Sequence, residues 1–185
     1  RGRGIGNFLE CTAPPMKEQG EIRFEADGTV TILTGTLDYG QGHATPFAQV
    51  LNTKLGIPYE RIRLLQGDSD QLIAGGGTGG SRSAMNSGAA IVAAAEKVIE
   101  RGKLIASFVL EAATADIEFV QGRFTIAGTD RSIGIMELAE RLRAGMRLPD
   151  DVPASLDVNL VHDGVASAFP NGCHVAEVEI DPETG

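Results

Sequence analysis

Residues 28–68 read "GTVTILTGTLDYGQGHATPFAQVLNTKLGIPYERIRLLQGD", and the order of patterns within them decides the fold. Val30 and Ile32 alternate with threonines, the period of a half-buried strand. Phe47, Val50, Leu51 and Leu55 then recur at helical spacing, and Gly56-Ile57-Pro58 stops the helix. "RIRLLQGD" returns as a strand, so the segment predicts two parallel strands joined by a crossover helix. Upstream, "EIRFEADGTVTILTG" alternates on both sides of Asp27-Gly28, a strong hairpin signal with strands near residues 20–26 and 29–35. The unit is therefore β-β-α-β.

Beyond it, "GGGTGG" places five glycines in six positions, which no helix or strand interior tolerates. A long helix follows from about Met85 to Leu110, with the small-residue face "GAAIVAAAEKVI" suited to close packing. "IEFVQGRFTIAG" reads as a second hairpin turning at Gln121-Gly122. "SIGIMELAERLRAG" reads as a short amphipathic helix capped by Ser132 and ended by Gly145. "DVNLVHD" and "CHVAEVEI" supply the last strands. The expected class is α+β, with mixed β-sheets and two long helices, a β-β-α-β unit followed by a second α/β unit. A subdivision is expected near residues 112–150.

Composition bounds the function. A net charge of -9, from 16 basic and 25 acidic residues, opposes nucleic-acid binding and suits a soluble cytoplasmic protein. The longest apolar run is too short for a membrane span. Cys11 and Cys173 match no metal or redox spacing and are expected to be reduced, buried small hydrophobes. The start "RGRGIGNF" and the final "VAEVEIDPETG", a strand running into a turn, suggest part of a longer polypeptide. Apolar surface left exposed for the remainder is expected to favour self-association.

The chemistry concentrates in two glycine-rich turns, each just before a main helix, where unpaired N–H groups and the positive dipole end suit anions. In "GGGTGGSRS" the bare amides can cradle a phosphate, Thr78, Ser81 and Ser83 can donate hydroxyls, and Arg82 brings a cationic fork. A P-loop frame from Gly75 reaches Gly80 and then Ser81-Arg82, without its lysine. A dinucleotide fingerprint on Gly75, Gly77 and Gly80 has no strand running into it. The earlier turn, "YGQGHAT", offers Gln41, which donates and accepts, beside His43 and Thr45, and an amide reads the edge of a heterocycle. A ligand with a polar ring at one end and phosphates at the other would use both turns. His162 and His174, in strands, are expected to be structural, and Asp68 and Asp70 to form a solvated turn. No hydrolase elbow, metalloprotease motif or metal-ligand cluster is present, so catalytic and metal residues are expected to be absent from this chain. A free-standing nucleotide- or anion-binding module is the alternative these turns leave open.

"GQGHATPFAQVLNTKLGIPYERIRLLQGDSD" followed by "GGGTGGSRSAMNSGAAIVAAAEKV" closely resembles the molybdopterin-binding large subunit of the xanthine dehydrogenase and aldehyde oxidase family, including its carbon monoxide dehydrogenase-like bacterial branch. The resemblance runs over nearly the whole chain. It implies that Gly40, Gln41, Gly42 and His43 line the pterin or pyrophosphate side, and that Thr78, Gly79, Gly80, Ser81, Arg82 and Ser83 wrap the phosphates. It implies molybdopterin cytosine dinucleotide carrying molybdenum, with FAD on a medium subunit and 2Fe-2S clusters on a small subunit as partners, besides the rest of the large subunit. The implied reaction oxidises a C–H bond, an aldehyde or carbon monoxide with oxygen from water. The family's base, a glutamate in a glycine-rich segment near the subunit's C-terminus, has no counterpart here, so the chain alone is expected to be inactive.

Overall fold

The computed structural model describes residues 1–185 and holds three helices and three sheets. The predicted β-β-α-β unit is present. β2 (Glu18–Phe24) pairs antiparallel with β3 (Val30–Leu33), α1 (Ala44–Leu55) crosses over, and β4 (Ile62–Leu65) returns parallel to β3, with Val30 opposite Ile62. The hairpin closes Phe24 on Val30, so five residues rather than a two-residue turn connect the strands. Asp27 accepts the Thr29 N–H at 3.0 Å and Gly28 takes φ 80° to make that connection.

α2 (Ser83–Leu110) lies across this sheet, and α1 packs beside it. Its small residues let it approach closely: Ala90, Ile91, Ala94, Ala95 and Val98 are fully buried. The chain then forms β5 (Ile117–Val120), β6 (Arg123–Ile126) and β7 (Ser132–Gly134), a small antiparallel sheet. Gln121 and Gly122, at φ 47° and 79°, make the two-residue turn between β5 and β6. Phe124 of that sheet occupies the space a Cβ at Gly102 of α2 would need. α3 (Ile135–Arg143) follows, and β8 (Val158–His162) joins the first sheet beside β2, giving the order β4-β3-β2-β8. One cluster of 25 buried apolar residues runs from Ile22 and Ile32 through α2 to Phe124 and Leu138.

Two expectations require correction. Ser132 does not cap α3; it pairs with Thr125 as part of β7, its hydroxyl accepting from the Arg123 guanidinium at 2.7 Å, and Gly134 stands at the cap position. Gly145 does end the helix, at φ 85°, donating to Leu142 O while Met146 donates to Arg141 O. Cys11 and Cys173 are free but exposed, not buried. The reason is a strand that periodicity did not reveal: β1 (Gly2–Leu9) pairs with β9 (Asn171–Val178) as a two-stranded ribbon standing off the core. Every residue of β1 is exposed, as are Ile5, Phe8 and Leu9 together with Val175, Val178 and Ile180. His174 stacks on Phe8 across the ribbon at 5.3 Å, and His162 accepts the Gly164 N–H at 3.0 Å, so both play the structural parts expected.

Candidate functional site

The two glycine turns meet. Gly35, at the end of the β3 side, and Gly75, in the long connection before α2, lie backbone against backbone, and the Gly77 N–H donates to Gly35 O at 3.2 Å. Thr78 then accepts the Leu37 N–H at 3.0 Å. Beyond this junction the turns diverge around a cavity of about 470 Å³. Seven of the ten expected site residues line it: Gln41, His43, Thr78, Gly79, Ser81, Arg82 and Ser83. Gly40, Gly42 and Gly80 belong to the same turns but do not line it, and Pro46, Phe47 and Ala84 complete the wall.

The two halves differ in their polar groups. In the first, the amides before α1 are already taken. The Asp38 carboxylate accepts the N–H groups of Gly40 at 2.7 Å, Gly42 at 3.2 Å and His43 at 2.7 Å, which holds its pKa below the ordinary carboxylate range. Asp38 thereby does the capping work that no side chain at His43, the cap position, performs. Gly40 and Gly42 serve backbone rather than space: φ is 109° and 75°, and nothing lies within 4 Å of a Cβ built on either. Gln41 accepts the Tyr39 N–H through Oε1, which leaves its Nε2 amide as a donor. His43 is 6% exposed and stacks on Phe47 at 5.2 Å. This half addresses a ligand through the Gln41 amide and the His43 imidazole.

In the second half the backbone is unspent. The N–H groups of Thr78, Gly79, Gly80, Ser81, Ser83 and Ala84 make no hydrogen bond within the protein, and α2 begins with no side-chain cap and no acidic residue in its first turn. Gly80 and Ser81 both take left-handed conformations, at φ 59° and 58°, the kind of backbone that turns successive amides toward one point. The loop is pinned from outside: Gly80 O accepts from Ala13 N at 2.7 Å, and Ser81 donates to Glu10 at 3.0 Å. Arg82 holds the loop from within, donating Nε to Gly77 O at 3.1 Å and Nη2 to Gly76 O while its charge stays at the cavity wall. Thr78 and Ser83 share a hydroxyl contact at 3.0 Å. Gly79 has open space where a Cβ would stand. Free amides, a cation and hydroxyls beside a bare glycine fit a phosphate group.

A buried polar layer supports both halves. Gln66, from the residue after β4, donates Nε2 to Thr34 Oγ1 at 2.9 Å and to Thr36 Oγ1 at 2.8 Å, and Thr36 meets Ser87 of α2 at 2.9 Å. Glu18 on β2, only 2% exposed, accepts the Gly35 N–H. Burial drives its pKa up to about 7, against the opposing pull of the Gly35 and Gln19 amides and the Arg82 charge. Asp38 had a local signal, an aspartate two residues before a glycine pair; Glu18 and Gln66 had none, because their partners lie far along the chain. Asp68 accepts the Asp70 N–H at 3.0 Å and the Gln71 amide at 2.6 Å, which forms a turn. No three His, Cys, Asp or Glu side chains gather to hold a metal, and no helix is long and apolar enough to cross a membrane.

Known proteins resemble this chain in sequence and in fold. The carbon monoxide dehydrogenase large chain of Hydrogenophaga pseudoflava is 34% identical over 183 residues, covering 98% of this chain and 21% of that protein. The 6-hydroxypseudooxynicotine dehydrogenase complex subunit gamma of Paenarthrobacter nicotinovorans is 32% identical over 184 residues, covering 100% of this chain and 23% of that protein. The solved CO dehydrogenase from Oligotropha carboxidovorans superposes with a TM-score of 0.83 at 32% identity, over 94% of this chain and 23% of that one. Quinoline 2-oxidoreductase from Pseudomonas putida 86 does so with a TM-score of 0.76 at 27% identity, over 94% of this chain and 24% of that one. The chain spans about a quarter of the length of these relatives. The family model for the molybdopterin cofactor-binding domain matches residues 1–185. With its paired turns, its shared cavity and a match along its full length, this chain belongs to the molybdopterin cofactor-binding domain family.

Proposed function

We propose that the chain holds a molybdenum cofactor in the cavity between its two glycine turns, as the cofactor-binding part of a molybdenum hydroxylase large subunit. The observation that carries this is one cavity lined by Gln41 and His43 on one side and by Thr78, Gly79, Ser81, Arg82 and Ser83 on the other. Gly40 and Gly42 set the first turn, and Gly80 the second, by their left-handed backbone. The Gln41 amide and the His43 imidazole suit the pterin ring. The unspent amides of residues 78–84 suit the phosphates, and an elongated cofactor of the molybdopterin cytosine dinucleotide type spans both. Once bound, such a cofactor supplies two-electron oxidation of substrate with oxygen from water. The chain's own residues bind it, orient it and shield it.

The protein's reaction is then oxidation of a C–H bond, an aldehyde or carbon monoxide, with electrons leaving toward 2Fe-2S and FAD partner subunits in the cytoplasm. The exposed apolar side chains of the β1–β9 ribbon, Ile5, Phe8, Leu9 and Val175 among them, support a covering surface from the rest of a large subunit. Relatives in which this domain is about a quarter of the chain disfavour a free-standing binding module. Metal analysis and mass spectrometry of the purified protein test the reading. The expected result is molybdenum with a cytidine-containing pterin; purification with iron and flavin but no pterin would overturn it.

A further inference from the structure

Gln66 lies behind the cavity wall, outside the two turns, and its side chain is committed on both ends. Its Nε2 group spends both protons, on Thr34 Oγ1 at 2.9 Å and Thr36 Oγ1 at 2.8 Å. Only Oε1 remains, and it faces His43 Nδ1 at 3.4 Å. An amide oxygen accepts and never donates, so the imidazole must place a proton on Nδ1 to meet it. The other ring nitrogen, Nε2, has no hydrogen-bond partner in the protein. Since no buried side-chain nitrogen or oxygen lacks a partner, Nε2 of this nearly buried ring is not sealed off, and His43 lines the cavity. Phe47 stacks on the ring at 5.2 Å and restricts its rotation.

We infer that Gln66 is a positioning residue that selects the Nδ1-protonated tautomer of His43, so that the ring turns Nε2, and not Nδ1, to the cavity as its hydrogen-bond acceptor. Beside it, Gln41 has spent Oε1 on the Tyr39 N–H and offers the Nε2 donor. The first half of the cavity therefore presents one acceptor and one donor, a pattern that selects a heterocycle edge carrying an N–H next to a carbonyl or ring nitrogen. The inference deepens the cofactor reading above and rests on it for the identity of the ligand, whereas the tautomer itself rests on geometry alone.

The test is ¹⁵N NMR of the purified protein labelled at histidine, with the His43 signal assigned by its disappearance in His43→Asn, alongside measurement of bound pterin. The expected spectrum shows a protonated Nδ1 and an unprotonated Nε2. Gln66→Leu, which removes the acceptor, should give a mixture of tautomers and about a tenfold loss of pterin occupancy, the scale of one hydrogen bond. A ring protonated at Nε2 in a protein that carries pterin overturns this inference and leaves the cofactor reading intact. The expected tautomer in a protein without pterin overturns the cofactor reading and leaves this one standing. The wild-type spectrum decides even where a Gln66 variant fails to fold.

Discussion

Gly35 and Gly75, forty residues apart in sequence, touch backbone to backbone: a Cβ on Gly75 would stand 2.5 Å from the Gly35 Cα. This contact sets the separation of the two turns, because Gln41 and Thr78 each follow it by only a few residues. A methyl group at Gly75 has to push the turns apart, and the atom it meets is backbone, which yields little. Gly75→Ala is expected to cost about 1–3 kcal/mol in stability, the usual range for overpacking. It should also lower pterin content well beyond what the fall in thermal midpoint accounts for. Normal pterin content in a folded Gly75→Ala protein would show that the junction does not set the site.

Glu18 supplies a pH-dependent prediction. Its folded pKa is raised to about 7 from 4.5, chiefly by burial, so between those values the folded protein holds a proton that the unfolded chain has released. The stability this proton confers is complete below 4.5 and is lost as pH rises through about 7. Glu18→Gln keeps an acceptor for the Gly35 N–H and removes the charge. It should be more stable than the parent at pH 8, on the order of 2 kcal/mol after allowing for solvent screening, and should lose the downward slope. Chemical denaturation across pH 4 to 8 measures both. A variant as pH-dependent as the parent would assign the slope to another group.

The supersecondary order of this fold was legible in the sequence, because alternation, helical spacing and the Gly56-Ile57-Pro58 stop are local signals. The paired turns were legible for the same reason. β1 was not. Its side chains alternate with glycine instead of facing a core, and its partner β9 lies about 170 residues away, with Arg3 opposite Glu177. β7 was absorbed into the helix it precedes, since "SIG" carries a capping serine that the sheet uses as an acceptor for Arg123. The site's visible residues were legible, but Glu18 and Gln66 acquire meaning only through partners brought in by folding. The expectation that the first turn presents free amides failed at Asp38, whose carboxylate reaches back over them.

Asp38 therefore makes its own prediction. Three backbone N–H groups hold its carboxylate, led by Gly40, and depress its pKa. A depressed acid stabilises the fold above its unfolded pKa, 3.8, and that contribution is lost as pH falls through the lower folded value. Asp38→Ala removes the acceptor and should lower the thermal midpoint at neutral pH, as loss of a helix cap does. The difference between variant and parent should shrink as the carboxylate is protonated at acid pH. Hydrogen exchange should quicken at Gly40, Gly42 and His43 while the amides of α2 keep their rates. Uniform quickening over the whole domain would argue that Asp38 supports the fold generally and not this turn.

Gly79 separates the site from the scaffold. It lines the cavity, yet a Cβ there meets nothing within 4 Å, and its φ lies outside the left-handed region where a side chain brings strain. Gly79→Ala should thus leave stability within about 0.5 kcal/mol of the parent, as surface substitutions do. The added methyl projects into space that a phosphate held by the neighbouring free amides needs. Pterin content, or affinity for added inorganic pyrophosphate in cofactor-depleted protein, should fall about tenfold or more, the effect of losing one well-placed hydrogen bond. Gly75→Ala and Gly79→Ala are then a matched pair: the first damages scaffold and site together, the second the site alone. Unchanged pyrophosphate affinity in Gly79→Ala would place the phosphates elsewhere along the cavity, since no protein atom stands in the methyl group's way.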